Sequence, residues 1–214
     1  ELLMSDSIYI GSNITFENLT PVAAYLGKPG DAAKGGLEFA EYQRRQDQFR
    51  MAEIKALLDT EYFISRAQAL YDYPHFICDT GGSICEWVDG SNPQDPILKE
   101  LAKHTLMVWI KGDDAHTEKL VQRFDRAPKP MSYQPEFLTR VWEDYLEESG
   151  LPAADVDPDL FLRRTYAQAL AHRQPRYQAM ADNWGITVTA DDISAVSDEA
   201  GFEDLIASAL EKRG

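Results

Sequence analysis

Short, uniformly apolar runs alternate with longer amphipathic segments along this chain. Residues 76–78, 105–110 and 186–188 show no polar alternation, so each is expected to be a strand buried on both faces. Longer segments with helical periodicity, such as residues 37–58, separate these runs. Interior strands separated by helices are typical of a helix-rich α/β fold with a mostly parallel sheet. The first two runs are expected to be parallel neighbours in that sheet.

No internal repeat and no low-complexity linker interrupts the alternation, so residues 1–214 are expected to form one α/β domain. An early strand is expected within residues 2–10. The chain opens on Glu1 followed by apolar residues, without an initiator methionine. We therefore expect an N-terminal truncation.

The first apolar run ends in Asp79, and Thr80, Gly81, Gly82 and Ser83 follow directly. Ligands of open α/β sheets bind at the carboxyl ends of strands, and glycines let the backbone approach a ligand's oxygens. Three kinds of site use such a turn: a Walker B strand whose aspartate holds Mg²⁺, an aspartic protease, and the phosphate loop of actin-like or sugar-kinase-like ATPases. A buried strand followed by a turn that Asp79 caps is the structural alternative.

The predicted elements favour the first of these sites. Aspartic proteases are almost wholly β and need a second Asp-Thr-Gly or a symmetric partner chain. Actin-like ATPases need two related domains and two phosphate loops, for which 214 residues leave little room. Asp79 is therefore interpreted as a metal ligand beside a nucleotide, with residues 80–83 as its cofactor-binding turn.

A second informative stretch is the lid-like loop, residues 123–135. Arg123, Arg126 and Lys129 place three cations close together, and prolines are expected to keep this part from being helical. The planar fork of arginine suits phosphate, and a loop that closes over a phosphoryl group excludes water. The alternative is a proline-rich connection with ordinary surface arginines.

Three further residues are candidates for orienting a substrate. Arg44 and Arg45 lie on the polar side of the predicted helix 37–58, and Asp6 follows the early strand. The alternative for Arg44 and Arg45 is a solvated helix face balanced by nearby acidic residues. The alternative for Asp6 is an ordinary turn residue.

Charge and cysteine content restrict the partners. The net charge of −15 opposes nonspecific attraction to nucleic acid or to an anionic membrane surface. Cys78 and Cys85 have no ligand-spaced histidine, so free thiols in a reducing cytoplasm are expected. The sequence contains no secretory signal pattern and no apolar run long enough to span a bilayer.

The segment RYQAMADNWGITVTADDISAVSDEAGFEDLIASAL, residues 176–210, resembles the ending of P-loop kinases of the nucleoside and nucleotide kinase group. FICDTGGS resembles their Walker B strand, and residues 123–129 stand where their arginine-bearing lid stands. The chain also resembles bacterial proteins described only as ATPases. Over residues 73–210 the resemblance implies a three-layer α/β/α, P-loop NTPase-like fold that uses ATP and Mg²⁺ to phosphorylate a small-molecule acceptor.

That resemblance also implies residue roles: Asp79 orders Mg²⁺, Thr80 or Ser83 assists, and Arg123 and Arg126 neutralise the transferring phosphoryl group. The sequence departs from the family because it contains no Walker A pattern. An ATPase or kinase function is therefore conditional on a phosphate cradle that this chain lacks. The alternative function is a noncatalytic α/β scaffold or regulatory subunit that engages a protein partner. The partner could also be a second copy of the chain, in a homodimer.

Overall fold

The computed structural model describes residues 25–72 and 74–213, and these residues are rich in helix. The α-helices are Phe39–Leu58 (α1), Thr60–Tyr71 (α2), Pro96–Leu101 (α3), Asp114–Arg126 (α4), Pro135–Ser149 (α5), Pro158–Trp184 (α6), Ala190–Ser194 (α7) and Glu199–Arg213 (α8). The strands are Met107–Lys111 (β1) and Gly185–Thr189 (β2). None of the described helices combines the length and the apolar content that a bilayer crossing requires.

The two strands pair in parallel, with Met107 opposite Gly185 and Lys111 opposite Thr189. Strands at 105–110 and 186–188 are therefore confirmed to within two residues. A helix-rich α/β class with a small parallel sheet is also confirmed. The three-layer P-loop arrangement remains a prediction.

The strand expected at residues 76–78 is wrong. This segment has no regular secondary structure, and the side chain of Ile77 is 83% exposed. Its expected pairing with residues 105–110 is wrong as well, because β1 pairs with β2. The physical reason is that an apolar run becomes an interior strand only where neighbouring strands pair with it, and the described residues place none beside this one.

The chain divides into two compact units. The first unit comprises the described residues through Leu57 together with Arg123–Ala169, and the second comprises Leu58–Gln122 together with the chain from Leu170 on. Helices α4 and α6 each contribute to both units. The expectation of one domain stays a prediction.

Aromatic side chains fill the core of the first unit. The rings of Phe39 and Trp142 stack with centroids 4.6 Å apart, and Phe161 meets Trp142 edge-on at 5.0 Å. The rings of Phe124 and Tyr166 stack at 3.9 Å. These ring contacts pack α1 against α5, α5 against α6, and α4 against α6.

The core of the second unit combines the sheet with the turn that follows Asp79. Its most buried apolar side chains include Ile84, Cys85, Val88, Ile97, Leu98, Leu101, Met180, Ile186 and Val188. Two of these belong to a 3₁₀ turn, Gly82–Glu86. The predicted cofactor-binding turn, residues 80–83, is thus followed directly by residues that are buried in the core.

Candidate functional site

Asp79 lies on an exposed turn rather than at the end of a strand. One oxygen of its carboxylate accepts a hydrogen bond from the backbone N–H of Gly81 at 2.9 Å, and Gly81 has a positive φ of 64°. The hydroxyl of Thr80 donates to the carbonyl of Gly81 at 3.3 Å. Asp79 therefore caps the turn, as the structural alternative predicted, while its carboxylate remains open to solvent.

Helix α6 holds the turn through two side chains. The hydroxyl of Tyr177 donates to the carbonyl of Gly82 at 2.6 Å, and Nε of Arg176 donates to the carbonyl of Cys85 at 2.7 Å. A Cβ on Gly82 would lie 2.9 Å from the Tyr177 hydroxyl oxygen. A side chain at position 82 would therefore displace the tip of Tyr177 from its present contact.

A buried ion pair completes this attachment. Nε of Arg173 on α6 donates to Oε1 of Glu86 at 2.5 Å, and both side chains are almost fully removed from solvent. Burial opposes the charge of Arg173, but the carboxylate of Glu86 outweighs it, so the pKa of Arg173 is raised. The pair fastens the end of the turn to α6 at a position where neither charge can be hydrated.

The buried nucleophiles of this cluster are held in their neutral forms. Burial raises the pKa of the Cys85 thiol to about 11, and burial also raises the pKa of the Tyr177 hydroxyl. Neither group is a thiolate or phenolate at neutral pH, so neither is suited to act as a nucleophile or base. Cys85 and Tyr177 are packing residues of the turn.

We expect the two thiols to react at different rates. At pH 8 a thiol with a pKa of about 11 is roughly one part in a thousand thiolate, whereas Cys78 is only partly buried. Titration of the native protein with Ellman's reagent should therefore modify one thiol quickly and the second only after denaturation. The Cys78→Ser variant should lose the fast phase. Rapid modification of two thiols in the native protein would contradict this assignment.

The cations of the lid-like loop are placed differently from the prediction. Arg123 and Arg126 lie in the last turn of α4, which ends at Arg126, and of the three cations only Lys129 lies in irregular backbone. The prolines begin to break the helix only after Arg126. The predicted lid-like loop at residues 123–135 is therefore wrong for residues 123–126, which are helical.

The downstream part of this loop is anchored to α1. The side-chain amide of Gln46 donates to the carbonyl of Met131 at 2.8 Å and accepts from the backbone N–H of Tyr133 at 3.0 Å. The Tyr42 hydroxyl also donates to the Met131 carbonyl, at 3.2 Å. Among the described residues, the part of this loop that makes no such contact with α1 is therefore short, about residues 127–130.

The fold adds a third arginine that local sequence patterns did not indicate. Nε of Arg163, on α6, donates to the carbonyl of Asp125 at 3.0 Å and so reaches the turn that carries Arg123 and Arg126. Arg123 and Arg126 are three residues apart on a helix and share a face. Among the described residues, none of the three arginines forms an ion pair with a carboxylate, in contrast to Arg44, Arg45, Arg50, Arg164 and Arg173.

Arg44 and Arg45, the arginines predicted to orient a substrate, are paired with an acidic residue of the same helix, α1. Nε of Arg44 and Nε of Arg45 each lie 2.7 Å from a carboxylate oxygen of Glu41. Hydrogen bonds from both arginines lower the pKa of Glu41 to about 2. This arrangement matches the solvated helix face given as the alternative. Asp6 lies outside the described residues, as does the strand expected within residues 2–10.

A Mg²⁺ ion fits Asp79 only together with a phosphate ligand. Mg²⁺ usually binds one or two carboxylates, several waters and substrate phosphates. The metal-ligand group that the described residues do form is elsewhere, at His75, Glu199 and Glu203. Both ring nitrogens of His75 already contact these carboxylates, at 2.9 and 3.0 Å, and all three side chains are exposed. We interpret this group as a tie between the segment before Asp79 and α8.

The predicted site residues are distributed over both units. Residues 79–83 belong to the second unit, whereas Arg44, Arg45, Arg123 and Arg126 belong to the first. The structure brings the Asp79 turn together with Arg173, Arg176 and Tyr177 of α6, which the motif alone did not indicate. A scan against family models and searches of curated proteins and of solved structures found no match for this chain.

Proposed function

We propose that this protein takes part in Mg²⁺- and ATP-dependent phosphoryl transfer, as an ATPase or a small-molecule kinase. The observation that carries the proposal is the group formed by Arg123, Arg126 and Arg163. Their guanidinium groups make no ion pair with a described carboxylate, although the chain has a net charge of −15. Guanidinium groups that form no ion pair with a described carboxylate, in a protein this acidic, are suited to bind an anionic ligand such as phosphate.

The remaining candidates have separate roles in this proposal. Asp79 orders Mg²⁺ directly or through water, with residues 80–83 donating hydrogen bonds to the ligand. Asp6 is the remaining candidate for orienting the phosphoryl acceptor, because Arg44 and Arg45 are already paired with Glu41. The proposal is conditional on a phosphate cradle of the Walker A type, which this sequence does not contain.

The test is a calorimetric titration of Mg·ATP into the full gene product and two variants of it, together with a turnover assay. The Arg126→Ala variant should bind Mg·ATP at least about tenfold more weakly, because a charge-assisted hydrogen bond contributes roughly 1.5–3 kcal/mol. The Asp79→Asn variant should weaken binding when Mg²⁺ is present and leave it unchanged in EDTA.

The matched control is Arg66→Ala, which removes the same charge from an exposed position of α2. It should bind Mg·ATP as the parent does. Parental affinity and turnover in both Arg126→Ala and Asp79→Asn would refute these role assignments.

A noncatalytic scaffold or regulatory subunit is the second candidate. The observation that favours it is the position of Asp79 on an exposed capped turn, since a Walker B aspartate stands at the end of a buried strand. Absence of Mg·ATP binding in the parent protein would favour this second candidate over the first.

A further inference from the structure

Three side chains from two distant parts of the chain meet on the surface of the second unit. His75 lies in the irregular segment before Asp79, and Glu199 and Glu203 lie on α8. Nδ1 of His75 is 2.9 Å from Oε1 of Glu199, and Nε2 of His75 is 3.0 Å from Oε1 of Glu203. We call these three residues the His75 cluster. One ligand atom from each lies within 4.8 Å of the other two, so the three residues are close enough to share a metal ion.

The two glutamates of the cluster carry like charges at close spacing. They are four residues apart on α8, and two like charges at this spacing destabilise a helix. The helix dipole compensates negative charge within the first turn, which includes Glu199 but not Glu203. Of the cationic side chains that the structure describes, His75 is the one that pairs with either carboxylate. A cation held between the carboxylates therefore removes a repulsion that a neutral imidazole leaves in place.

The donor atoms of the cluster indicate which cation fits. An imidazole nitrogen is a good ligand for Zn²⁺, whereas Mg²⁺ and Ca²⁺ prefer oxygen ligands. One ring nitrogen and two carboxylate oxygens supply three protein ligands, and water takes the fourth position of a tetrahedral site that is open to solvent. Ligand atoms on one zinc ion lie roughly 3.3 Å apart, given bonds of about 2.0–2.2 Å. Because all three side chains are exposed, small rotations bring their ligand atoms to this separation.

We propose that the His75 cluster binds a zinc ion, which replaces a proton on the ring nitrogen that ligates it. The ion then fastens the segment before Asp79 to the start of α8. Since the ring nitrogen must be free of its proton to bind the ion, affinity for zinc falls as the solution is made acidic. The cluster uses none of the residues assigned to phosphoryl transfer, so the zinc site is tested separately from that function.

Calorimetric titration of Zn²⁺ into the metal-free protein, in a reducing buffer without a chelating thiol, tests the site. The parent should bind zinc, and an excess of Mg²⁺ should not displace it, because Mg²⁺ takes nitrogen ligands poorly. The His75→Gln and Glu203→Gln variants should each bind zinc at least about tenfold more weakly, since each loses one of three ligands.

The matched control is His116→Gln, which removes an exposed histidine that contacts the single carboxylate of Asp113. It should bind zinc as the parent does. The Cys78→Ser variant should also keep parental affinity, and this result separates the site from zinc taken up by a nearby thiol. Circular dichroism of every variant shows that it is folded.

Hydrogen exchange measured by mass spectrometry locates the ion. Zinc should slow exchange of the backbone amides in residues 75–79 and in the first turns of α8, since the ion joins these two segments. Four results would overturn the proposal: no zinc binding by the parent, parental affinity in both His75→Gln and Glu203→Gln, loss of binding in Cys78→Ser, or unchanged exchange in the zinc-saturated protein.

Discussion

Replacing Glu86 with glutamine is expected to lower the free energy of unfolding by about 3–5 kcal/mol. The amide keeps the shape of the side chain but leaves the buried guanidinium of Arg173 without a counter-charge. An uncompensated charge in a site this dry is far more costly than the loss of an exposed pair. Urea denaturation followed by circular dichroism measures the effect.

The control for this prediction is Glu148→Gln, which removes the carboxylate that pairs with Arg164 on the surface. Its effect should stay within about 0.5 kcal/mol of the parent, because exposed pairs contribute little. Replacing both buried partners, as Glu86→Leu with Arg173→Met, should recover much of the loss in Glu86→Gln. Equal stabilities of Glu86→Gln and Glu148→Gln would show that the buried pair does not hold the turn.

The substitution Gly185→Ala is expected to destabilise the second unit by roughly 3 kcal/mol. A Cβ at this position would lie 2.1 Å from the carbonyl oxygen of Met107, its partner across the parallel pair. The two strands must separate to accept the methyl group, and this disrupts their hydrogen bonds. Thermal and urea denaturation give the stability.

Gly150→Ala adds the same methyl group where nothing lies within 4 Å, although its φ of 65° is unfavourable for alanine. Its cost should be about 1 kcal/mol, from backbone strain alone. If Gly185→Ala costs no more than Gly150→Ala, the close approach of β1 and β2 at Met107 does not exist in solution.

Elements with strong local signals were predictable from the sequence. The strands at 105–110 and 186–188 are confirmed as β1 and β2. A local capping signal is also present at the start of α6, where the carboxylate of Asp157 accepts hydrogen bonds from the backbone N–H groups of Asp159 and Leu160. An N-cap and a first-turn proline act within one helical turn, so neighbouring residues suffice to indicate them.

The candidate site was less predictable because its contacts join distant parts of the chain. Glu86 and Arg173 are 87 residues apart, and Arg163 reaches the carbonyl of Asp125 over 38 residues. No local spacing reveals such pairs. The prediction at residues 76–78 was wrong for a related reason, since burial of a strand depends on neighbours that the run itself does not specify.

By itself the sequence determined the helix-rich α/β class, two of the strands, and an acidic charge that opposes nonspecific attraction to nucleic acid or to an anionic membrane surface. The tertiary structure alone decided that Asp79 caps an exposed turn, that α6 holds this turn through Arg173, Arg176 and Tyr177, and that Arg163 joins the arginines of α4. The physical reason is the distance along the sequence over which each interaction acts. Backbone propensity and capping act over a few residues, whereas burial, ion pairing and the position of a carboxylate depend on which distant segments the fold brings into contact.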